Sequence, residues 1–213
     1  MKIAKPDIPH ELHTVPDIRS LLRTDEQLTG LLLQDIELPK LTAKGTALAE
    51  SRIMRCTFLQ AKIEKLQLQD CLLQNSDFSG SNLSDASWHT VTVQSTRCSG
   101  LQLPNSLLKN VRFVGCRLDM ANFRFSKLEN VQFEQCVMTG LDLYNARLKH
   151  VEFIDCDIED VEFSGAQLTD VDLTRSRLVS VKGLSGLKGA HITADQLVAL
   201  LPYVAQEIGL VVE

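Results

Sequence analysis

Hydrophobic residues recur at every fifth position along most of this chain. All positions taken in steps of five from Ile53 to Leu178 are hydrophobic. A second series lies two residues earlier, runs from Ser51 to Ser176 and contains no charged residue. A strict period of five fits neither the 3.6-residue period of a helix nor the alternation of a strand. It predicts a repeated unit that consists of a short extended piece, with two inward side chains, and a tight turn.

The last position of each five-residue unit favours turns. Asn, Asp and Gly are common there, and these residues tolerate the backbone conformations that tight turns need. Examples are Asp70, Asn75, Gly80, Asp85, Asn105, Asn110, Gly115, Gly140 and Gly165. The remaining positions of the unit are mostly polar, so the pattern separates an apolar interior from a polar surface.

Several units carry this pattern in full: CTFLQ (56–60), SDFSG (76–80), SNLSD (81–85), ANFRF (121–125) and AQLTD (166–170). In these units the sequence resembles the pentapeptide-repeat family, over residues 31–181. The resemblance implies an all-β fold, in which four units form one square turn of a right-handed quadrilateral parallel β-helix, a solenoid whose turns stack. Residues twenty positions apart should then lie in columns, and the valines at 91, 111, 131, 151 and 171 fit this expectation.

Both ends depart from the period of five, which predicts three segments. These are an N-terminal cap (1–30), the pentapeptide-repeat β-helix (31–182), and a C-terminal helical segment for capping and dimerisation (183–213). In the last segment, Thr193 and Gln196 have the spacing of a capping box at a helix start. We expect a short helix at about 194–200 and a second one from Pro202 to just before Gly209, because proline is disfavoured inside a helix.

The predicted C-terminal helices carry an apolar stripe. It consists of Leu197, Leu200, Leu201, Val204 and Ile208. One part of the stripe is expected to cover the last coil, and the rest to meet another copy of the chain. Family members that act on topoisomerases dimerise through a similar C-terminal segment, so the resemblance implies a homodimer.

Composition limits the classes of function. The formal net charge is −5 at pH 7, whereas proteins that bind nucleic acid directly usually carry a basic excess. No apolar run is long enough for a membrane span. The N-terminus lacks the apolar region of a secretory signal, so we expect a cytoplasmic protein.

Residue types that carry chemistry give no enzyme signature. Cys56, Cys71, Cys98, Cys116, Cys136 and Cys156 all fall at inward positions of the repeat, where cysteine acts as a small hydrophobe. We therefore expect free thiols and no metal site. The histidines lack metal-ligand spacing, and no phosphate-binding or nucleophile motif is present. Enzymes with parallel β-helices bind substrate beside long loops, which this repeat lacks. We expect a non-enzyme without cofactor or small-molecule substrate.

One coil of the predicted β-helix is strongly acidic. It contains Glu152, Asp155, Asp157, Glu159, Asp160, Glu162, Asp170 and Asp172, and no Lys or Arg lies between the first and the last of them. We call this set the acidic coil. The pattern has two interpretations. The first is an ordinary solvated surface. The second is a partner-binding patch: in a homodimer, the acidic coils of the two chains would meet across the two-fold axis and form one saddle-shaped acidic surface.

The resemblance gives the second interpretation a mechanism. Family members that confer quinolone resistance, and a mycobacterial gyrase inhibitor of the same fold, look like B-DNA in width and charge. The chain is accordingly predicted to be a protein-interaction module and DNA mimic that binds a type II topoisomerase such as DNA gyrase, with a role in antibiotic (quinolone) or toxin resistance.

An apolar and aromatic corner supports a different prediction. Pro104, Arg124 and Tyr144 stack twenty residues apart, and Phe125 lies beside them at an outward turn position. We call these four residues the aromatic corner. An exposed aromatic of this kind is typical of a protein contact. The alternative function is therefore a structural or regulatory scaffold that binds an unrelated protein partner.

Overall fold

The computed structural model of the chain describes residues 3–15, 18–19 and 27–210. It is a right-handed quadrilateral parallel β-helix of about eight turns, followed by one C-terminal helix. Within the repeat, each strand pairs in parallel with the strand twenty residues further on, and Val111, for example, lies between Val91 and Val131. The fold predicted from the period of five is therefore confirmed.

The strands are short and follow one another at the spacing of the repeat. They are β1 (His13–Thr14), β2 (Gln27–Thr29), β3 (Leu31–Gln34), β4 (Thr42–Lys44), β5 (Ala47–Ala49), β6 (Arg52–Met54), β7 (Lys62–Glu64), β8 (Gln67–Gln74), β9 (Ser87–Gln94), β10 (Leu107–Val114), β11 (Lys127–Glu134), β12 (Val137–Thr139), β13 (Arg147–Glu159), β14 (Val161–Glu162), β15 (Gln167–Leu178), β16 (Val181–Lys182) and β17 (Ala190–His191). A 3₁₀ turn covers Leu184–Leu187, and helix α1 covers Ala194–Glu207. Pairing at the twenty-residue offset of the repeat begins with β2, four residues before the predicted start of the solenoid at residue 31.

The turns of the β-helix use one backbone conformation throughout. Every fifth residue from Gly30 to Asp170 has a φ between 49° and 72°, in the left-handed region. Asn, Asp and Gly adopt this region readily, but Met120 and Phe125 adopt it as well. Hydrogen bonds along the axis hold these turns, since the N–H of Phe125 donates to the carbonyl of Tyr144 in the next coil at 3.0 Å. The turn conformation thus follows from stacking, even where the residue itself disfavours it.

The last coil departs from this regularity. Arg175 does not share the left-handed conformation, and the register between β13 and β15 shifts between Glu152 and Asp157. Strand β17 then pairs with β15 at the end of the sheet. The repeat therefore loosens at the C-terminal end, where non-repeat segments cover the coil.

Stacked side chains fill the interior. The ring centroids of Phe113, Phe133 and Phe153 lie 5.0 Å apart from one to the next, in nearly parallel planes. Trp88 is buried and packs against Phe113 at 6.3 Å. Such contacts require neighbours above and below, so a single coil could not bury its own apolar face.

The second inward series satisfies its polar atoms with backbone groups of neighbouring coils. The hydroxyl of Ser126 donates to the carbonyl of Leu103 at 2.7 Å, and the thiol of Cys136 donates to that of Phe113 at 3.5 Å. All six cysteines are buried and free. Burial raises the pKa of the Cys71 thiol to about 11. Small hydroxyls and thiols therefore fit this column because a carbonyl is always within reach.

One continuous helix forms the C-terminal segment, so the prediction of two helices is wrong. Pro202 lies inside the fourteen-residue helix α1. Proline has no backbone N–H, so the carbonyl of Val198 loses its hydrogen-bond donor within the helix. Val198 lies on the exposed side of α1, where water can donate to this carbonyl instead. The predicted capping box is confirmed, since the N–H of Gln196 donates to Thr193 Oγ1 at 3.1 Å and the N–H of Thr193 to Gln196 Oε1 at 2.8 Å.

Helix α1 closes the last coil with the side that carries Leu200 and Gln196. Leu200 is buried in the core, and Gln196 Nε2 donates to the carbonyls of Leu173 and Ser176 at 2.8 and 2.7 Å. These two carbonyls lie at the C-terminal edge of the β-helix. The helix thus supplies donors to an edge that would otherwise remain unpaired. Among the described residues, no helix is long and apolar enough to cross a membrane.

The burial of the cysteines predicts their reactivity. In the native protein at pH 8, we expect none of the six thiols to react with Ellman's reagent within minutes, because all six are buried in the interior and shielded from the reagent. In guanidinium chloride all six should react. The absorbance of the released chromophore counts them. A fast-reacting thiol under native conditions would contradict the inward position of that residue.

The 3₁₀ turn packs closely on the last coil, and this contact predicts the effect of a methyl group. A Cβ at Gly186 would lie 1.8 Å from the carbonyl oxygen of Phe163. We expect Gly186→Ala to lower the free energy of unfolding by about 2–3 kcal/mol, as overpacking does. The exposed neighbour Ser185→Ala serves as the control and should change it by less than about 0.5 kcal/mol. Urea unfolding measures both, and equal effects would contradict the close contact.

Candidate interaction surfaces

The β-helix has four faces, and each outward residue can be assigned to one of them. Face 1 has Phe113, Phe133 and Phe153 inside, face 2 has Leu118, Met138 and Ile158, face 3 has Phe123, Leu143 and Phe163, and face 4 has Leu108, Leu128 and Leu148. Strands β8 to β11 run from face 4 across a corner into face 1. Any set of residues that spans twenty positions must therefore surround the β-helix.

The acidic coil is distributed over all four faces. Glu152, Asp155 and Asp172 lie on face 1, and Asp157, Glu159 and Asp160 lie on face 2. Glu162 lies on face 3 and Asp170 on face 4. The structure thus brings these carboxylates together as a ring around one end of the β-helix.

Two arginines from the next coil neutralise part of this ring. Arg177 Nε lies 2.6 Å from Asp157 Oδ1, and Arg175 Nη2 lies 3.4 Å from Glu152 Oε2. Both arginines follow the acidic stretch in sequence and were missed by the sequence analysis. The spacing of twenty residues would have found Arg177, because it stacks directly on Asp157.

A groove of about 590 Å³ opens between face 4 and face 1 beside the acidic coil. It is lined by Asn130, His150, Glu152, Asp170, Asp172, Thr174 and His191. His150 Nδ1 lies 2.7 Å from Asp170 Oδ2, and His191 Nε2 lies 4.0 Å from the other oxygen of the same carboxylate. No group of three or more ligating side chains among the described residues could hold a metal ion.

The electrostatics of this groove favour ionised carboxylates. Burial acts to raise the pKa of Asp172, but hydrogen bonds from the hydroxyl and N–H of Thr174 and the positive charge of Arg175 lower it below its usual value. The groove therefore keeps its negative charge at neutral pH. His191 belongs to β17, outside the repeat, so the period of five gave no signal for its position.

The outer side of α1 and the residues just after it form an apolar surface. Leu197, Val198, Leu201, Ile208 and Leu210 are all about half exposed or more. Among the stripe residues, Leu200 is only 1% exposed and packs on the last coil, so it does not belong to the outer surface. Val204 is partly buried. The sequence analysis did not include Val198 and Leu210 in the apolar stripe.

The aromatic corner is assembled in the structure as a set of ring contacts. The guanidinium carbon of Arg124 lies 4.5 Å from the ring centroid of Tyr144, and Arg124 Nε lies 3.2 Å from Asp142 Oδ2. The rings of Phe125 and Tyr144 meet edge to face, with centroids 5.7 Å apart. Phe125 remains 53% exposed. Pro104 lies one coil before Arg124, in the same column.

Comparison with known proteins gives matches to one family. A family model described as "Pentapeptide repeat region" matches residues 46–123 and 106–182. No curated protein sequence matches the chain. Among solved structures, 29 chains match.

Two of these structures illustrate the likeness. A trypsin-treated form of QnrB1, described as a plasmid-mediated fluoroquinolone resistance protein, is 16% identical over 89% of this chain and 92% of its own, with a TM-score of 0.60. HetL from the cyanobacterium Nostoc sp. strain PCC 7120, described as involved in heterocyst differentiation regulation, is 16% identical over 73% of this chain and 88% of its own, with a TM-score of 0.35. At such identities the likeness to QnrB1 supports the fold alone.

Proposed function

We propose, from the premise that this chain belongs to the pentapeptide-repeat family, that it is a non-enzymatic protein-interaction module. The observation that carries this proposal is the exposed apolar surface at α1. Five large apolar residues lie exposed on this helix and directly after it, although the helix already covers the last coil with its other side. Exposed apolar surface of this kind marks sites of protein association.

A second copy of the chain is the first occupant that we propose for this surface. The helix ends the β-helix, so two chains that meet there would form one longer body with an acidic coil on each side of the junction. The apolar groove on α1, of about 790 Å³, is lined by residues that a copy could fill, such as Val198, Leu201 and Ile208. The chain would then be a homodimer.

Sedimentation of two matched variants tests the homodimer. We expect the wild-type chain to sediment as a dimer, and Leu201→Glu as a monomer, because a buried charge at the junction is costly. Ala199→Glu introduces the same charge at an exposed position outside the groove and should remain dimeric. A wild-type chain that sediments as a monomer at all concentrations would contradict the proposal.

The partner that we propose is a type II topoisomerase such as DNA gyrase, with the acidic coil acting as a DNA mimic. Residues 152–177 contain eight carboxylates and two arginines, a net charge of −6. At about 4.8 Å per coil, they rise about 6 Å along the axis. B-DNA has about one charge per 1.7 Å, so the acidic coil is at least as dense in charge. QnrB1 has the same fold and is described as a fluoroquinolone resistance protein, which supports testing this partner first.

The aromatic corner supports the alternative, a scaffold that binds an unrelated protein. Phe125 is held outward by its left-handed backbone and packs edge to face against Tyr144, so its exposed side is fixed in place. A rigid exposed aromatic ring next to an arginine is typical of a binding hot spot.

A gyrase supercoiling assay separates the two functions. We expect the wild-type protein to inhibit supercoiling or to protect gyrase from quinolones, and the triple variant Asp155→Asn, Glu159→Gln, Asp160→Asn to lose at least tenfold in potency. The inhibition should weaken with salt, since it depends on charge. Phe125→Ala is the control and should keep full potency.

The opposite outcomes are equally clear. No effect of the wild-type protein up to tens of micromolar would exclude gyrase. Loss of effect in Phe125→Ala, with the triple variant unchanged, would favour the aromatic corner as the binding surface.

A further inference from the structure

The N-terminal segment leaves the end of the β-helix and runs along its outside. Strand β1 pairs with β3 at the N-terminal edge, where His13 lies opposite Leu31. Further toward the N-terminus, the N–H of Asp7 donates to Asp70 Oδ1 at 3.4 Å. Asp70 lies two coils beyond Leu31 in the stack. The segment therefore follows the side of the β-helix in the direction of its C-terminal end.

Ile3 anchors this segment on the outer surface. Its side chain is only 8% exposed, yet it does not belong to the interior core cluster. Four residues of extended chain reach at most about 14 Å, so Ile3 lies within about three coils of Asp70. An apolar side chain is thus buried on the outside of a β-helix whose outer positions are mostly polar.

The corner between face 4 and face 1 is covered along the same path. Its turn positions Asp70, Asn110 and Asn130 are half-buried, and Thr90 is only 7% exposed although it points outward. The turn positions of the next corner in the same coils are exposed: Asn75, Ser95, Gly115 and Gln135. The N-terminal segment contacts this first corner at Asp70, and Asn130 Nδ2 donates to Asn110 Oδ1 at 3.2 Å further along it. The first corner is thus more enclosed than the second.

The covered corner leads directly into the groove beside the acidic coil. Asn130 and His150 continue the column of Thr90 and Asn110, and both line the groove. A chain that follows this corner from Asp70 therefore points at Glu152, Asp170 and Asp172. Lys5 in the segment is complementary in charge to these carboxylates.

We propose that residues 3–12 are an autoinhibitory strap: they occupy the corner between face 4 and face 1, and they must detach before a partner can use this corner to reach the acidic coil. The attachment is suited to release, because Ile3 is the one fully buried side chain among the described residues of the segment and the hydrogen bond from the N–H of Asp7 to Asp70 is long. The competing partner would present an extended segment with an apolar residue and a nearby positive charge. This inference rests on the proposed function in one respect, namely that the acidic coil binds a partner.

A peptide-binding experiment on the full chain tests the strap without any partner. The probe is a fluorescein-labelled peptide of residues 3–12. In the wild type the corner is occupied, whereas Ile3→Asp removes the apolar anchor and frees it. We expect the peptide to bind Ile3→Asp at least tenfold more tightly than the wild type in fluorescence anisotropy. Ala4→Asp places the same charge at an exposed neighbour, and it should bind the peptide as weakly as the wild type does.

Other outcomes would overturn the strap. The first is equal affinity of the peptide for the wild type and both protein variants. The second is absence of peptide binding to the Ile3→Asp protein. The third is that a control peptide with the Ile3→Asp substitution binds this protein as tightly as the unsubstituted peptide does. A wild-type dimer that dissociates in Ile3→Asp would show that the segment binds a second copy instead. Failure of the gyrase assay would leave the peptide result unchanged, so the two proposals can fail independently.

Discussion

Hydrogen bonds along the axis, from the N–H groups of each coil to the carbonyls of its neighbour, are the constraint on which the structure depends. They place residues twenty positions apart on top of one another. They also hold the left-handed turns at residues that disfavour them, such as Met120 and Phe125. Once this stacking is set, the interior can only consist of columns of similar side chains, and the outward positions are left to vary. Surface and core are therefore nearly independent in this chain.

Stacking also decides which surface charges interact. The acidic coil looks unbroken along the sequence, but Arg177 of the next coil lies on Asp157 at 2.6 Å, and Arg112 lies between Gln132 and Glu134 of the next coil. Partners in such ladders are twenty or so residues apart and belong to neighbouring coils. The electrostatic surface is thus set by columns along the axis, and a count of charges in a sequence window describes it poorly.

The sequence predicted the β-helix well because one period controls backbone pairing, turn position and burial together. It predicted the inward place of all six cysteines for the same reason. Where the period ends, each feature depends on particular contacts. Pro202 is tolerated inside α1 because the carbonyl that it leaves unbonded is on the exposed side. Leu200 turns inward because the last coil needs a cover. The period of five could not reveal that Ile3 is buried, because this residue lies before the repeat begins.

The five-residue unit has a further consequence for how such a chain can change. A face is one unit long and a full turn is twenty residues, so gain or loss of a single unit would rotate everything after it by a quarter turn about the axis. The interior would tolerate this, since all four sides bury similar aliphatic and aromatic groups. The groove at His150 and Asp170 would move to another side, away from the path of the N-terminal segment. Length changes in whole units could thus rearrange the outer surface while they preserve the architecture.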